Sequence, residues 1–193
     1  EDVKLVDDAG KPRPAGHLIR NPDYAATLEA IAAGGADAFY DGPIAAAVVA
    51  ATKAAPNFAG DLTAEDLVGY RVEERAPVCV PYRVYRICGM GPPSSGGIAV
   101  AQVMKLLEPV DLGKGPSAAG NVKALHLIAE AEKLAYADRD RYVADPAFAP
   151  VPAGLLDDGY LAERRRLIDA GAAMVRPTAG KPPGADHRAF GVD

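Results

Sequence analysis

Tryptophan is absent from this sequence and aromatic residues make up only 6% of it, which leaves little from which to build a stacking platform for bases or sugars. No apolar run approaches the ~20 residues that a membrane-crossing helix needs. The most apolar stretch, Pro43 to Ala55, is mostly alanine and too short. Neither sign of charge dominates: the net value is −5, which argues against nucleic acid or an anionic membrane surface as a partner. Histidine is scarce, with three in all, and the two cysteines are too few for a structural zinc site. The opening EDVKLVDDAGKPRPAGHL has no basic region followed by an apolar one, so it does not read as a signal peptide, which leaves export open.

What is there suffices for a sizeable core. Over 193 residues, 49% are hydrophobic and 24% charged, the balance of a globular chain of one domain to one and a half. Residues 1–16 read as an irregular lead-in, 17–175 as the folded region, and 176–193 as a flexible tail with little to bury. Asn21 as N-cap, Pro22 at the first helical position and Asp23 signal a helix that Gly34 and Gly35 end. In it Tyr24, Leu28 and Ile31 form one stripe expected to be buried. A helical turn over Ala36 to Tyr40, a helix from Ile44 to about Ala55, and a short helix capped by Thr63 with Asp66 at its third position complete a helical layer.

The period then changes. Tyr70 to Val80 and Tyr82 to Met90 are rich in Val, Tyr and Arg with partial alternation and read as two strands around a tight turn near Tyr82 and Arg83. Cys79 and Cys88 flank that turn. Two reduced cysteines are the expectation, with a disulfide as the alternative in an oxidising compartment. The second strand leads into GPPSSGG and an apolar helix, Ile98 to Leu107, polar only at Gln102 and Lys105. Ser is a preferred N-cap and the free N–H groups at a helix start suit an anion or oxyanion. A long helix follows from Asn121 to about Tyr142, with Lys123, His126, Glu130 and Lys133 assigned to water and Leu125, Ile128, Ala131 and Ala135 to the core. Its Asp138-Arg139-Asp140-Arg141 end reads as a mutual ion-pair cluster, worth little if exposed. A last helix is expected from Asp158 to Ala170, with Tyr160, Leu161, Leu167 and Ile168 inward and Arg164 to Arg166 mostly outward.

Residue chemistry alone gives no complete active site. Ser94 or Ser95 as a nucleophile would need a positioned base, and His17, His126 and His187 lie in the lead-in, on a wet helix face and in the tail. The turn is neither G-x-S-x-G nor a P-loop. His126 and Glu130, four apart on one face, are two potential ligands beside two lysines and do not make a metal site. No metal and no cofactor are expected.

At GPPSSGGIAVAQVMKLLE the sequence resembles the γ-glutamyltransferase (γ-glutamyltranspeptidase) family, in the C-terminal half of its heavy chain. DLTAEDLVGYRVEERAPVCVPYRVYRICGM, LIAEAEKLAYADRDRYVADPAF and NPDYAATLEAIAAGGADAFYDGPIA extend the likeness over roughly Gly16 to Ala170. The resemblance implies an α+β fold: a helix-rich piece with a β-hairpin, part of the four-layer α-β-β-α sandwich of an N-terminal-nucleophile hydrolase. It also implies a precursor that cuts itself before a threonine, whose freed amine and hydroxyl pass the γ-glutamyl group of glutathione or a relative to water, an amino acid or a peptide. The Thr-Thr-His context of that nucleophile, the light chain, and the heavy-chain half with its carboxylate-binding arginine are not among these residues. The partners implied are therefore that light chain, the N-terminal half of the heavy chain, and glutathione or another γ-glutamyl compound, in a periplasmic or secreted location, with this chain alone inactive. Ser94, Ser95, Gly96 and Gly97 are expected as one wall of the site and no catalytic residue is assigned. Acylases that share the fold, among them cephalosporin, glutaryl and poly-γ-glutamate-processing enzymes, and a non-catalytic binding or scaffold module are the alternatives.

Overall fold

A computed structural model describes residues 5–113 and 121–185. The chain falls into two compact units that divide between Glu73 and Glu74, and the region expected from 17 to 175 includes parts of both.

The first unit is helical, and its elements begin where local chemistry dictates. In α1, Pro22–Gly34, the Asn21 side chain accepts from the Tyr24 N–H. Then come α2, Asp37–Tyr40, and α3, Pro43–Lys53. The last, α4, Ala64–Gly69, starts with a reciprocal capping box between Thr63 and Asp66. The Thr63 backbone N–H, then its hydroxyl, hold the Asp66 carboxyl below its ordinary value. The lead-in is tied by an isolated Val6–Pro12 bridge. The stripe on α1 is not buried: no residue of that helix is, and Tyr24 and Leu28 are 59% and 48% exposed. The reason is that this unit sets no sizeable apolar surface against it; Ala45 alone among its described residues is buried.

The second unit carries the core. Strands β1, Val78–Tyr82, and β2, Tyr85–Gly89, pair antiparallel, with Cys79 opposite Cys88. Residues 70–77 form no strand, and the turn lies at Arg83 and Val84, where Arg83 takes φ 55°. The two cysteines form a disulfide, against the expectation of reduced thiols: the register sets them directly across the ladder. From β2 the chain turns into α5, Gly96–Leu107, followed by α6, Val122–Tyr142, a 3₁₀ turn at Ala153–Leu156, and α7, Asp158–Arg165.

Val103, Leu106 and Leu107 of α5 meet Leu127, Ala131, Leu134 and Ala135 of α6 and Tyr160 and Leu161 of α7. Ala131 and Ala135, at most 1% exposed, present no more than a methyl group and so let the helices approach closely. The hairpin is fastened to α5 at both ends. Gly89 abuts Gly97 at the helix start. At the tip, the Arg83 N–H donates to Glu108 Oε1 at 3.3 Å and its Nη2 to the Val110 carbonyl at 3.0 Å.

Several assignments of faces are corrected. On α6, Leu125 is 50% exposed while Glu130 and Asp138 are buried, so the dry face is rotated from that expected. Asp138 is fully enclosed and pairs with Arg164 rather than within the 138–141 run. On α7, which stops at Arg165 rather than Ala170, Arg164 is buried. Arg165 donates to the carbonyls of Leu106 and Lys105, both at 2.8 Å, at the negative end of α5. Leu167 is 53% exposed.

The expected tail is also corrected for residues 176–185. The Gly180 N–H donates to Asp138 Oδ1 at 2.9 Å, the Gly180 carbonyl accepts from Tyr142 Oη at 2.6 Å, and the Gly154 N–H donates to the Pro183 carbonyl at 3.0 Å. Backbone polar groups, which composition does not reveal, hold this segment. His187 and the remainder of 186–193 lie outside the described residues.

Candidate functional site

The turn from β2 into α5 is built on close backbone approach. A Cβ on Gly97 would fall on the Met90 carbonyl oxygen and stand 2.9 Å from the Gly89 carbonyl carbon. One on Gly89 would stand 2.8 Å from Gly97 Cα. Glycine is therefore required at both positions by space alone. Gly96 meets only Ser94 Oγ, at 4.0 Å. The Pro92-Pro93 peptide is cis. A cleft of about 300 Å³ opens here, bounded among others by Cys88, Met90, Ser94, Gly96 and Gly97.

Ser95 occupies the N-cap position without capping. Its backbone is helical, φ −85° and ψ −18°, and its side chain makes no cap bond; a hydroxyl caps from an extended backbone. Instead Ser95 Oγ accepts from Arg139 Nε at 2.9 Å. Arg139 also pairs with Asp140 at 2.7 Å and lies over the Tyr136 ring, 5.7 Å from its centroid. Ser94, Gly96 and Gly97 thus border one cleft, whereas Ser95, expected beside them, is engaged by Arg139, which sequence reasoning had spent on its neighbours in an ion cluster. Such a corner can offer helix-start N–H groups and the Ser94 hydroxyl to a carbonyl or anionic group. It supplies no base.

The histidines go elsewhere. His126 Nε2 is 2.8 Å from the Asp169 carbonyl oxygen, and His17 is in the first unit. Glu130, paired with His126 in the sequence reading, receives Lys133 Nζ at 2.7 Å and the Met174 N–H at 2.8 Å. The Lys133 ammonium bonded to it, and secondarily that N–H, hold its carboxyl below the ordinary value against the opposing effect of burial.

The group that sequence reasoning missed is a buried polar cluster behind the site. Asp138 Oδ2 accepts from Tyr160 Oη at 2.6 Å and Gln102 Nε2 at 3.1 Å. Its Oδ1 accepts from Gly180 and pairs with Arg164 Nη2 at 3.1 Å. Gln102 also reaches the Leu155 carbonyl at 2.8 Å, and Arg164 the Leu134 carbonyl at 3.2 Å. Burial, and then the bond to Asp138, push the Tyr160 phenol far above its ordinary 10.0. One signal was available: Tyr160 and Arg164 stand four apart, so an inward Tyr160 carries Arg164 inward.

The fold matches the corresponding part of N-terminal-nucleophile hydrolases of the gamma-glutamyltranspeptidase and acylase type. The crystal structure of Helicobacter pylori gamma-glutamyltranspeptidase superposes with a TM-score of 0.71 and 32% identity, over 98% of this chain and 52% of that one. Residues 4–189 match the family described as Gamma-glutamyltranspeptidase, and the chain belongs to that family. The Acylase ACY 1 proenzyme of Pseudomonas sp. (strain SE83) is 44% identical over 161 residues, 83% of this chain and 28% of that protein. The glutathione hydrolase proenzyme of Escherichia coli (strain K12) is 39% identical over 176 residues, 91% of this chain and 29% of that protein. The chain therefore spans less than a third of the curated relatives it matches.

Proposed function

We propose that this chain is heavy-chain structure of an autoprocessed enzyme that transfers or hydrolyses the γ-glutamyl group of glutathione and related compounds. The nucleophile is an N-terminal threonine on a light chain, and Ser94 to Gly97 form one wall of its site. The observation that carries the reading is the β2–α5 corner: a cleft bounded by Ser94 and by Gly96 and Gly97 at the start of α5, with no base in its lining. A corner of that kind suits a substrate whose chemistry is performed by groups from another chain. The partners are the light chain and the N-terminal half of the heavy chain. The disulfide supports a periplasmic or secreted location, since such bonds persist in oxidising compartments.

A second reading, an acylase for a different acyl group, is favoured by the 44% identity to the acylase proenzyme. One experiment separates them. The complete coding frame containing this chain is expressed, self-cleavage is followed on a gel, and hydrolysis of a chromogenic γ-glutamyl amide is compared with that of a cephalosporin-type acyl amide. Preferential γ-glutamyl turnover is expected, falling about ten- to a hundredfold in Ser94→Ala and Gly96→Ala through misplacement of substrate. Preference for the other amide supports the acylase. Unchanged cleavage and turnover in both variants refute the site wall.

A further inference from the structure

We propose that the Cys79–Cys88 disulfide is a thiol-exchange site, at which Cys88 Sγ accepts a small anionic peptide thiol of the glutathione class. This goes beyond the function proposed above and does not depend on it. The two residues are directly opposed in register with Cα atoms 4.1 Å apart, the spacing of a non-hydrogen-bonded antiparallel pair. Among the described residues the sheet has two strands.

The two residues are not equivalent. Cys88 is exposed whereas Cys79 is half-buried. Cys88 also borders the cleft of about 300 Å³ at the β2–α5 corner, which gives an incoming thiol room on that side. Exchange follows access and the sulfur attacked, and exposed disulfides are the labile ones. Arg86, also exposed, precedes Cys88 by two residues and so shares its strand face. A guanidinium there draws a thiol that carries carboxylates.

The step balances without a further oxidant or reductant. A thiolate attacks Cys88 Sγ; its sulfur bonds to Cys88 as the Cys79–Cys88 bond breaks. The electron pair leaves on Cys79 Sγ, which takes a proton from solvent. A second thiolate attacking the bound sulfur releases the symmetric disulfide of the small thiol and leaves Cys88 reduced. Until then Cys79 stays across the ladder and can expel the adduct, so the exchange is reversible.

The test uses the oxidised chain with reduced glutathione, quenched in acid and mapped by peptide mass. The expected product is a glutathionyl group on Cys88, formed at a rate that does not change with urea below the unfolding transition. Arg86→Glu should slow the reaction about three- to tenfold at low salt, while 2-mercaptoethanol, whose thiolate carries no carboxylate, is slowed less. If that variant does not fold, added salt should slow the wild-type reaction with glutathione more than that with 2-mercaptoethanol. An adduct on Cys79, no adduct on the folded chain, or a rate that tracks unfolding would overturn the proposal. Equal responses of the two thiols to charge and salt would overturn the preference for an anionic thiol.

Discussion

Replacing Asp138 with alanine tests the buried cluster most severely, because four donors converge on one carboxylate that is 0% exposed. Arg164, itself 5% exposed, would keep only the Leu134 carbonyl. Leaving one charge of a buried pair uncompensated costs about 3–5 kcal/mol. Gln102 keeps its bond to Leu155, so its loss is small. Tyr160 loses its acceptor, and an orphaned buried hydroxyl costs about 1–3 kcal/mol; Gly180 is half-buried and finds water more readily. These costs overlap, and the expected total is about 4–6 kcal/mol. At a urea dependence of about 2 kcal/mol per molar, the midpoint for the 74–185 unit falls by about 2–3 M. The Gly180 amide should also lose its protection against hydrogen exchange. Joint replacement, Asp138→Leu with Arg164→Met, removes both charges and should cost less than Asp138→Ala alone. A cost below about 1 kcal/mol for Asp138→Ala, or a double variant equal to the sum of its singles, would refute this account.

Three further outcomes follow from other contacts. Gly97→Ala should lower stability by about 1–3 kcal/mol through overpacking against Met90 and Gly89, whereas Gly96→Ala should stay within about 0.5 kcal/mol; paired thermal melts decide it. Glu130 has a folded pKa below its unfolded value of 4.5, so its contribution is fully present above that pH and is lost as pH falls through the folded value. Glu130→Gln should flatten acid unfolding in that window, and an unchanged acid limb would show that Lys133 and Met174 do not act on it. Tyr160, whose folded pKa is raised, should stay protonated while exposed tyrosines ionise. Its contribution is therefore present below pH 10.0 and declines above it. Phe at this position should leave the tyrosinate absorbance of the folded protein unchanged, and a loss of one tyrosine's signal there would contradict the burial argument.

Local chemistry was legible where the deciding groups lie close in sequence. Asn21 with Pro22, and Thr63 with Asp66, start helices because capping needs only neighbours three residues away. The strand, turn and helix at Tyr85 to Leu107 were legible for the same reason, as was membership of the family from PPSSGG and AEAEKLAYADR. Faces were less so. Glu130 and Asp138 looked wet because they are charged, yet their partners, Met174, Tyr160, Arg164 and Gly180, lie 22 to 44 residues away. The docking of 176–185 depends on backbone amides and on the space at Gly180, where a Cβ would meet Tyr160 and Arg164; a Gly- and Pro-rich composition advertises neither. The α1 stripe shows the converse limit, since amphipathic spacing says which face is apolar and not whether anything covers it. At the corner, Ser94, Gly96 and Gly97 border one cleft while Ser95 does not; its partner Arg139 was not legible, because the two lie 44 residues apart.

The double fastening of the hairpin has a mechanical consequence. Helix ends ordinarily fray, because the terminal turns lose bonds singly and at little cost. Here the first turn of α5 is pinned by the Gly89–Gly97 contact and its far end by Arg83 and Arg165. The hairpin thus works as a splint along a 12-residue rod. A rod held that way transmits a push at Arg83 to Ser95 as a rigid displacement, with little of it absorbed by bending on the way.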